Sequence, residues 1–270
     1  MMETVKDKAL VLRTCNSDMT SRNGFVWPKE GLVECPDWTP SPECGNGLHG
    51  ALWGQGNGSL FDWSLDAVWQ VVQIEEWIDL DGKVKFPRGI VVHTGNQETA
   101  TKYIIENGAS GAVIGASTTA GNEGTATVGD WGTATAGFRG TATVGDWGTA
   151  IAGNEGTATA GFRGTATAGR GGTANAGDWG TANAGHGGTA TAGFRGIAIA
   201  GRGGTANAGD WGTANAGNEG TASAGHCGII QIKYFDGERF RIKAGYVGED
   251  GIEPNVPYKL DHDGNFIKAG

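Results

Sequence analysis

The stretch Gly129-Asp130-Trp131-Gly132-Thr133-Ala134-Thr135-Ala136 decides the architecture of this chain, because variants of it recur fourteen times in succession between Gly121 and Ile232 without an insertion or deletion. A unit of eight residues is too small to bury anything alone, so a fixed period of this kind demands that each unit stack on its neighbours. Thr-Ala-Thr-Ala alternates strictly. On an extended strand both alanines point one way and both polar residues the other. Thr favours the pleated surface, and Ala is small enough for a very thin interior. The glycines at unit positions 1 and 4 flank a variable dipeptide, where the backbone must turn and where positive φ is cheap only for glycine. Two glycines in every eight residues would cost a helix about 1 kcal/mol each. Collagen-like packing needs glycine at every third position, which does not occur here. The repeat predicts a β-solenoid.

The corner dipeptides set the size of one coil. Asp-Trp begins at positions 130, 146, 178 and 210, and Asn-Glu at 122, 154 and 218, so every spacing is a multiple of sixteen. A three-unit coil would scatter both sets. Two units per coil give seven coils of two short strands each, facing across a double layer of Ala methyls, with a length of roughly 34 Å at about 4.8 Å per rung. Residues 161–192 and 193–224 are nearly the same block, so duplication contributes to the regularity.

Sixteen-residue phasing places side chains in columns. One corner reads Trp131, Trp147, Arg163, Trp179, Arg195 and Trp211, beside Asp130, Asp146, Phe162, Asp178, Phe194 and Asp210. Trp and Arg one rung apart can stack, each exposed contact contributing about 0.5–1 kcal/mol. The opposite corner is small and polar, with Glu123, Arg139, Glu155, Gly171, Gly187, Gly203 and Glu219. The Trp–Arg column is the predicted binding site, since an exposed aromatic stripe marks interaction surfaces; its plainer role is to shield the corners and hold register.

The rest of the chain reads as ordinary globular protein. Residues 1–112 hold six of the ten tryptophans and form a predicted small α+β domain ahead of the solenoid at 113–232. Ala9–Arg13, Val68–Ile74 and Gly89–Val92 read as strands. Asn96–Asn107 reads as a helix, with Asn96 as N-cap, Glu98 in the first turn and Gly108 as the stop. In the C-terminal region, 233–270, Lys233–Phe235 and Glu238–Ile242 flank Asp236-Gly237, a two-residue hairpin signal. That hairpin is expected to cover the open last rung, which would otherwise invite another strand, and the N-terminal domain is expected to cover the other end.

Charge and composition exclude several classes. The net charge of −9 carries no basic stripe, as a nucleic-acid binder requires, and no dense acidic stripe along the solenoid, as a DNA mimic requires. Met1 to Leu12 shows no apolar secretory region, and no stretch approaches the roughly 20 apolar residues of a membrane span. A cytoplasmic, membrane-free protein is expected. Cys15, Cys35, Cys44 and Cys227 are unevenly spaced and read as structural thiols; a zinc site from Cys35, Cys44 and His49 lacks any paired motif. No metal or cofactor is expected.

No catalytic constellation stands out. The turn Gly45-Asn46-Gly47-Leu48-His49-Gly50 near Arg13, with Glu75-Glu76, is a loose candidate for an ADP-ribosyltransferase site, against which His49 reads as a hydrogen-bonded turn residue.

Two resemblances follow from particular residues. Gly24-Phe25-Val26-Trp27-Pro28, Pro36-Asp37-Trp38-Thr39-Pro40 and Cys44 to Gly50 together resemble an uncharacterised domain of bacteriophage and prophage proteins over residues 8–107. The tail around Ile252-Glu253-Pro254-Asn255 and Tyr258-Lys259-Leu260 resembles the ends of the same proteins. The resemblance implies a phage or bacterial origin and no defined activity. Residues 121–232 resemble the sixteen-residue repeats of bacterial ice-nucleation proteins in their glycine corners and Thr-x-Thr strands, while lacking their tyrosine and their Ser-x-Leu half-repeat. One face carries Thr125/Thr127, Thr141/Thr143, Thr157/Thr159, Thr173/Asn175, Thr189/Thr191, Thr205/Asn207 and Thr221/Ser223. Its hydroxyls would form a grid of about 6.7 by 4.8 Å, which that resemblance implies is ice-binding. The other face is broken by Ile151, Ile197, Ile199 and Ile229.

The sequence therefore predicts a mainly β, non-enzymatic interaction protein of phage or bacterial origin. A two-sided solenoid of about seven coils, closed by a C-terminal β-hairpin, would bind an unidentified protein partner, such as one from a bacterial host. The reading admits a homo-oligomer. An ice-binding solenoid is the alternative, and an ADP-ribosyltransferase-type enzyme the lesser one.

Overall fold

A computed structural model describes residues 8–21 and 24–269. The chain divides into two compact units, with the boundary between Ser117 and Thr118.

In the first unit, β1 (Ala9–Cys15), β2 (Gly31–Glu34), β3 (Leu48–Leu52), β4 (Val68–Ile74), β5 (Ile78–Asp79), β6 (Val84–Phe86) and β7 (Arg88–Gly95) form one antiparallel sheet in the order β2-β7-β4-β1-β3-β6-β5. Val11, Val72, Leu48, Val84, Phe86 and Trp27 build the core on one of its sides. Helix α1 (Gln97–Glu106) packs against β4, β7 and β1 and buries Ala100, Thr101 and Ile104. Its start is as predicted: the Asn96 side chain accepts the Thr99 amide at 2.9 Å, satisfying one of the free N-terminal donors. Gly108, with φ +111°, ends the segment. The predicted strands are present: Val68–Ile74 has the expected bounds, and the other two run somewhat longer. The turn expected at His49 is instead strand β3, where His49 pairs with Lys85 of β6.

The second unit is the two-sided solenoid. Four-residue strands alternate between two parallel sheets, and each residue pairs with the one sixteen positions on, as in Thr165↔Thr181 and Ala166↔Ala182. One sheet starts at Ser117–Ala120 and runs through Thr133–Ala136 to Ile229–Phe235; the other runs from Thr125–Thr127 to Thr221–Ala224. The repeat alanines from Ala126 to Ala224 face inward and are buried, while the threonines stay at least partly exposed. The interior is slightly wider at its ends, where it takes Val128 and Val144 near the start and Ile230 and Ile232 at the finish.

Both last rungs are covered. Phe240–Tyr246 pairs antiparallel with Ile229–Phe235, but the register Phe235↔Phe240 leaves a four-residue connection rather than the two-residue turn expected. Asp236 explains the difference, because its Oδ1 accepts the amides of Glu238 and Arg239 and its other oxygen meets Arg241. The hairpin closes only one sheet. Tyr258–Leu260, backed by Phe266–Lys268, closes the other by pairing with Ala222.

Candidate functional site

Most corners are β-turns in which the second glycine donates to the first, as Gly140 does to Gly137 at 3.0 Å. The left-handed residue is not either of these glycines but the second residue of the dipeptide: Trp131 (φ +58°), Arg163 (+54°), Trp179 (+59°) and Glu155 (+57°) all adopt it. The glycines are needed for space instead. A Cβ at Gly153 would lie 2.7 Å from the Gly137 carbonyl carbon one coil below, and one at Gly156 would lie 2.7 Å from the Gly140 oxygen. This corrects the sequence argument, in which the flanking glycines eased positive φ. Stacked coils leave no room for a side chain at these points.

The first residue of the dipeptide holds coils together. Oδ1 of Asp130, Asp146, Asp178 and Asp210 accepts the amide sixteen residues on, at 2.8–2.9 Å, and Asn122 and Asn154 do the same at 3.0 and 2.9 Å. The aspartates of the aromatic edge are thus engaged in structure, which their charge alone did not reveal.

The predicted site residues form one continuous stack. Trp131 and Trp147 lie face to face, with centroids 5.1 Å apart and planes 2° from parallel. Arg163 then lies between Trp147 and Trp179, at 4.7 and 5.5 Å from their centroids. Arg195 lies between Trp179 and Trp211, at 4.8 and 5.9 Å. Ring faces are therefore occupied by neighbours in the column, and solvent meets mainly ring edges. Trp211, at the end of the stack, is the most exposed at 57%. The opposite corner carries ion pairs instead, Arg139–Glu155 at 2.8 Å and Arg202–Glu219 at 3.0 Å.

Between the corners lie the two outer faces. On the sheet from Thr125–Thr127 to Thr221–Ala224, paired Thr columns run from Thr125/Thr127 through Thr157/Thr159 and return at Thr189/Thr191. At the last two rungs Ser223 donates to Asn207 at 2.7 Å, so these groups satisfy each other. The other face exposes Ile151, Ile197 and Ile199. The grid and its interruption fall where the sequence placed them.

In the first unit the loose catalytic candidates do not meet. Arg13 is buried against the Trp27 ring, 3.4 Å from its centroid, and donates to Gln70 at 2.9 Å; burial lowers its pKa to about 10. The β1–β3 register puts His49 on the opposite side of the sheet from Arg13. Glu75 and Glu76 follow β4 at the end paired with Ala9, four residues and roughly 13 Å along the strand from Arg13. Burial, aided by nearby Lys83 and Lys85, lowers the His49 pKa to about 4. All four cysteines are free thiols. Cys44 is exposed 3.0 Å from Lys83 Nζ, whose hydrogen bond lowers its pKa, while burial raises that of Cys35. Among the described residues no group of His, Cys, Asp or Glu could hold a metal ion, and no helix is long and apolar enough to cross a membrane.

Residues 9–104 match the model of a domain of unknown function (DUF7666). The chain is also similar to an ice nucleation protein of Pseudomonas fluorescens, 45% identical over 105 residues, covering 37% of this chain and 9% of that protein. An ice nucleation protein of Pseudomonas syringae pv. syringae is 41% identical over 116 residues, covering 42% of this chain and 10% of the relative. Ice nucleation protein InaU of Pantoea ananas is 38% identical over 106 residues, covering 38% and 10%. The chain thus spans a tenth or less of the length of these curated relatives. Their sixteen-residue repeats are what the solenoid resembles. No solved structure matches.

Proposed function

We propose that the solenoid is an ice-binding surface, acting through the sheet that carries Thr125/Thr127, Thr141/Thr143 and Thr157/Thr159. The observation that carries this reading is the unbroken Thr-x-Thr register over successive rungs of one flat face. Hydroxyls held at about 4.8 Å between rungs and about 6.7 Å within a strand organise water into rows. The similarity of the repeat to ice nucleation proteins supports the same reading. Rigidity supports it too, because every rung is bonded to the next along both strands and at both corners, so the lattice is set before water arrives. The test uses the full chain. Thermal hysteresis and faceted crystal growth are expected, and are lost in Thr143→Lys/Thr159→Lys but kept in Thr165→Lys/Thr181→Lys on the other sheet. Unshaped crystals and no hysteresis for the unaltered chain would remove the reading.

A second reading keeps the Trp–Arg edge as a contact for a protein partner, of phage or bacterial-host origin. It is favoured by the exposure of Trp147, Trp179 and Trp211, a residue type that dominates interface energetics. Co-purification from a bacterial host with a folded Trp147→Ala/Trp179→Ala/Trp211→Ala variant tests it: loss of a partner held by the unaltered chain supports the edge, and retention removes it.

A further inference from the structure

The two outer faces of the solenoid differ in chemistry, and the difference is concentrated at one end. On the sheet ending in Ile229–Phe235, the register aligns Ile197, Thr213, Ile229 and Tyr246 in one row across four strands. Ile199 stands beside that row. The hairpin extends the face past the four-residue rungs with Ile242, Phe235 and Phe240, each more than half exposed. The geometry points to this face as a self-association surface that receives the same face of a second copy of the chain, back to back across a two-fold axis.

Charge argues for a second copy over another occupant. The chain carries −9 overall, yet none of the outward positions of this sheet from Thr133 to Gln231 is charged. Two equally charged copies therefore meet on these rungs without repulsion, and a charged partner finds little there to pair with. Lys233, on the same outward side of the hairpin, holds its Nζ 4.5 Å from the Phe240 ring centroid, where the ring face partners its charge. Flat sheets pack face to face at about 10 Å, and an isologous contact requires only that one patch complement itself.

Area argues the same way. Seven rungs at about 4.8 Å by four residues at about 3.3 Å give roughly 450 Å² in projection. With side-chain relief and the hairpin, the face approaches the about 800 Å² per partner of a standard stable interface. A dimer built this way leaves the two Thr faces pointing outward, and it stands or falls independently of what those faces bind.

Sedimentation velocity on the full chain from about 1 to about 100 µM tests the proposal, with a dimer expected within that range. Ile197→Thr/Ile199→Thr restores the residues that Thr165 and Thr167 already place in the same columns, so the fold is kept. Ile242→Lys places a charge in the apolar face. Each variant is expected to weaken the dimer at least tenfold, and Thr143→Lys on the opposite sheet to leave it unchanged. A chain that stays monomeric throughout overturns the proposal, as does a dimer undiminished by both variants or one dissociated by Thr143→Lys. A monomer that floats with vesicles of anionic phospholipid overturns it in favour of a lipid surface.

Discussion

Asp146 accepts the backbone amide of Phe162, sixteen residues on, with Oδ1 2.8 Å from the nitrogen. The contact ties one coil to the next at a point outside either sheet. A stack of coils has no long-range core to average over, so its stability is close to a sum of such nearest-neighbour terms.

Removing this link should be measurable. Asp146→Ala is expected to destabilise the solenoid by about 1 kcal/mol, the usual loss for one hydrogen bond to a backbone amide. Asp146→Asn should stay within about 0.5 kcal/mol, because Asn122 and Asn154 already make the same bond at the other corner. Denaturant midpoints monitored by far-ultraviolet circular dichroism decide it, and equal losses for the two variants would show that the bond contributes nothing.

The aromatic column makes a second, opposed pair of effects separable. Trp179→Ala removes its contacts with Arg163 and Arg195, at a cost of about 1–2 kcal/mol. Trp179→Gly loses the same contacts but relieves a left-handed backbone at φ +59°, so it should be more stable than the Ala variant by about 1 kcal/mol. Gly171, Gly187 and Gly203 use this solution at the opposite corner. An Ala variant as stable as the Gly variant would show that the corner is not strained.

Inside the stack, position matters more than size. Ala166 is fully buried, and Ala166→Leu is expected to cost about 1–3 kcal/mol or more by overpacking. Ala168→Val should be tolerated far better, since Val144 fills the corresponding place on the other sheet. Thr165→Val, on the outside, should be nearly neutral. Comparable melting losses at Ala166 and Thr165 would mean that inside and outside are reversed.

The first unit should respond to acid through His49. Its folded pKa, about 4, lies below the unfolded value, so the unfolded chain binds the proton first and stability falls as pH drops from about 6.5 towards 4. Above that window the contribution is fully present. The slope is at most about 1.4 kcal/mol per pH unit and less in practice, because the ring is only about half buried and solvent screens it. His49→Gln should flatten the dependence measured by Trp fluorescence, and an unchanged profile would assign the acid sensitivity to other groups.

How far each part was legible depends on what its residues do. The solenoid was legible down to its register because nearly every strand repeats the same choice of a Thr or Asn outside and an Ala inside. Strands β1, β4 and β7 were legible from uninterrupted apolar and β-branched runs. Strand β3 was not, because Gly50 reads as a turn; it is a close approach, where a Cβ would lie 2.8 Å from the Leu12 oxygen. Strand β6 was hidden by Lys85, which is fully buried yet bonded to the Glu43 carbonyl at 2.8 Å. The site columns were legible as columns. The bond from Asp146 to the next coil was not, since no property of Asp in an octapeptide distinguishes a solvated carboxylate from one that closes a corner.

The sixteen-residue register makes length a quantised trait. Recombination between the near-identical blocks 161–192 and 193–224 would add or delete two whole coils, and every strand, corner and cap would find an equivalent neighbour. A slip of one octapeptide would be a different event. It would exchange the sheets offered to the hairpin and to Tyr258, and it would carry part of the tryptophan column to the opposite corner. Chains of this kind can thus grow or shrink by coil number at little structural risk, while half-coil variants should be purged. An alignment of natural length variants would show gaps in steps of sixteen.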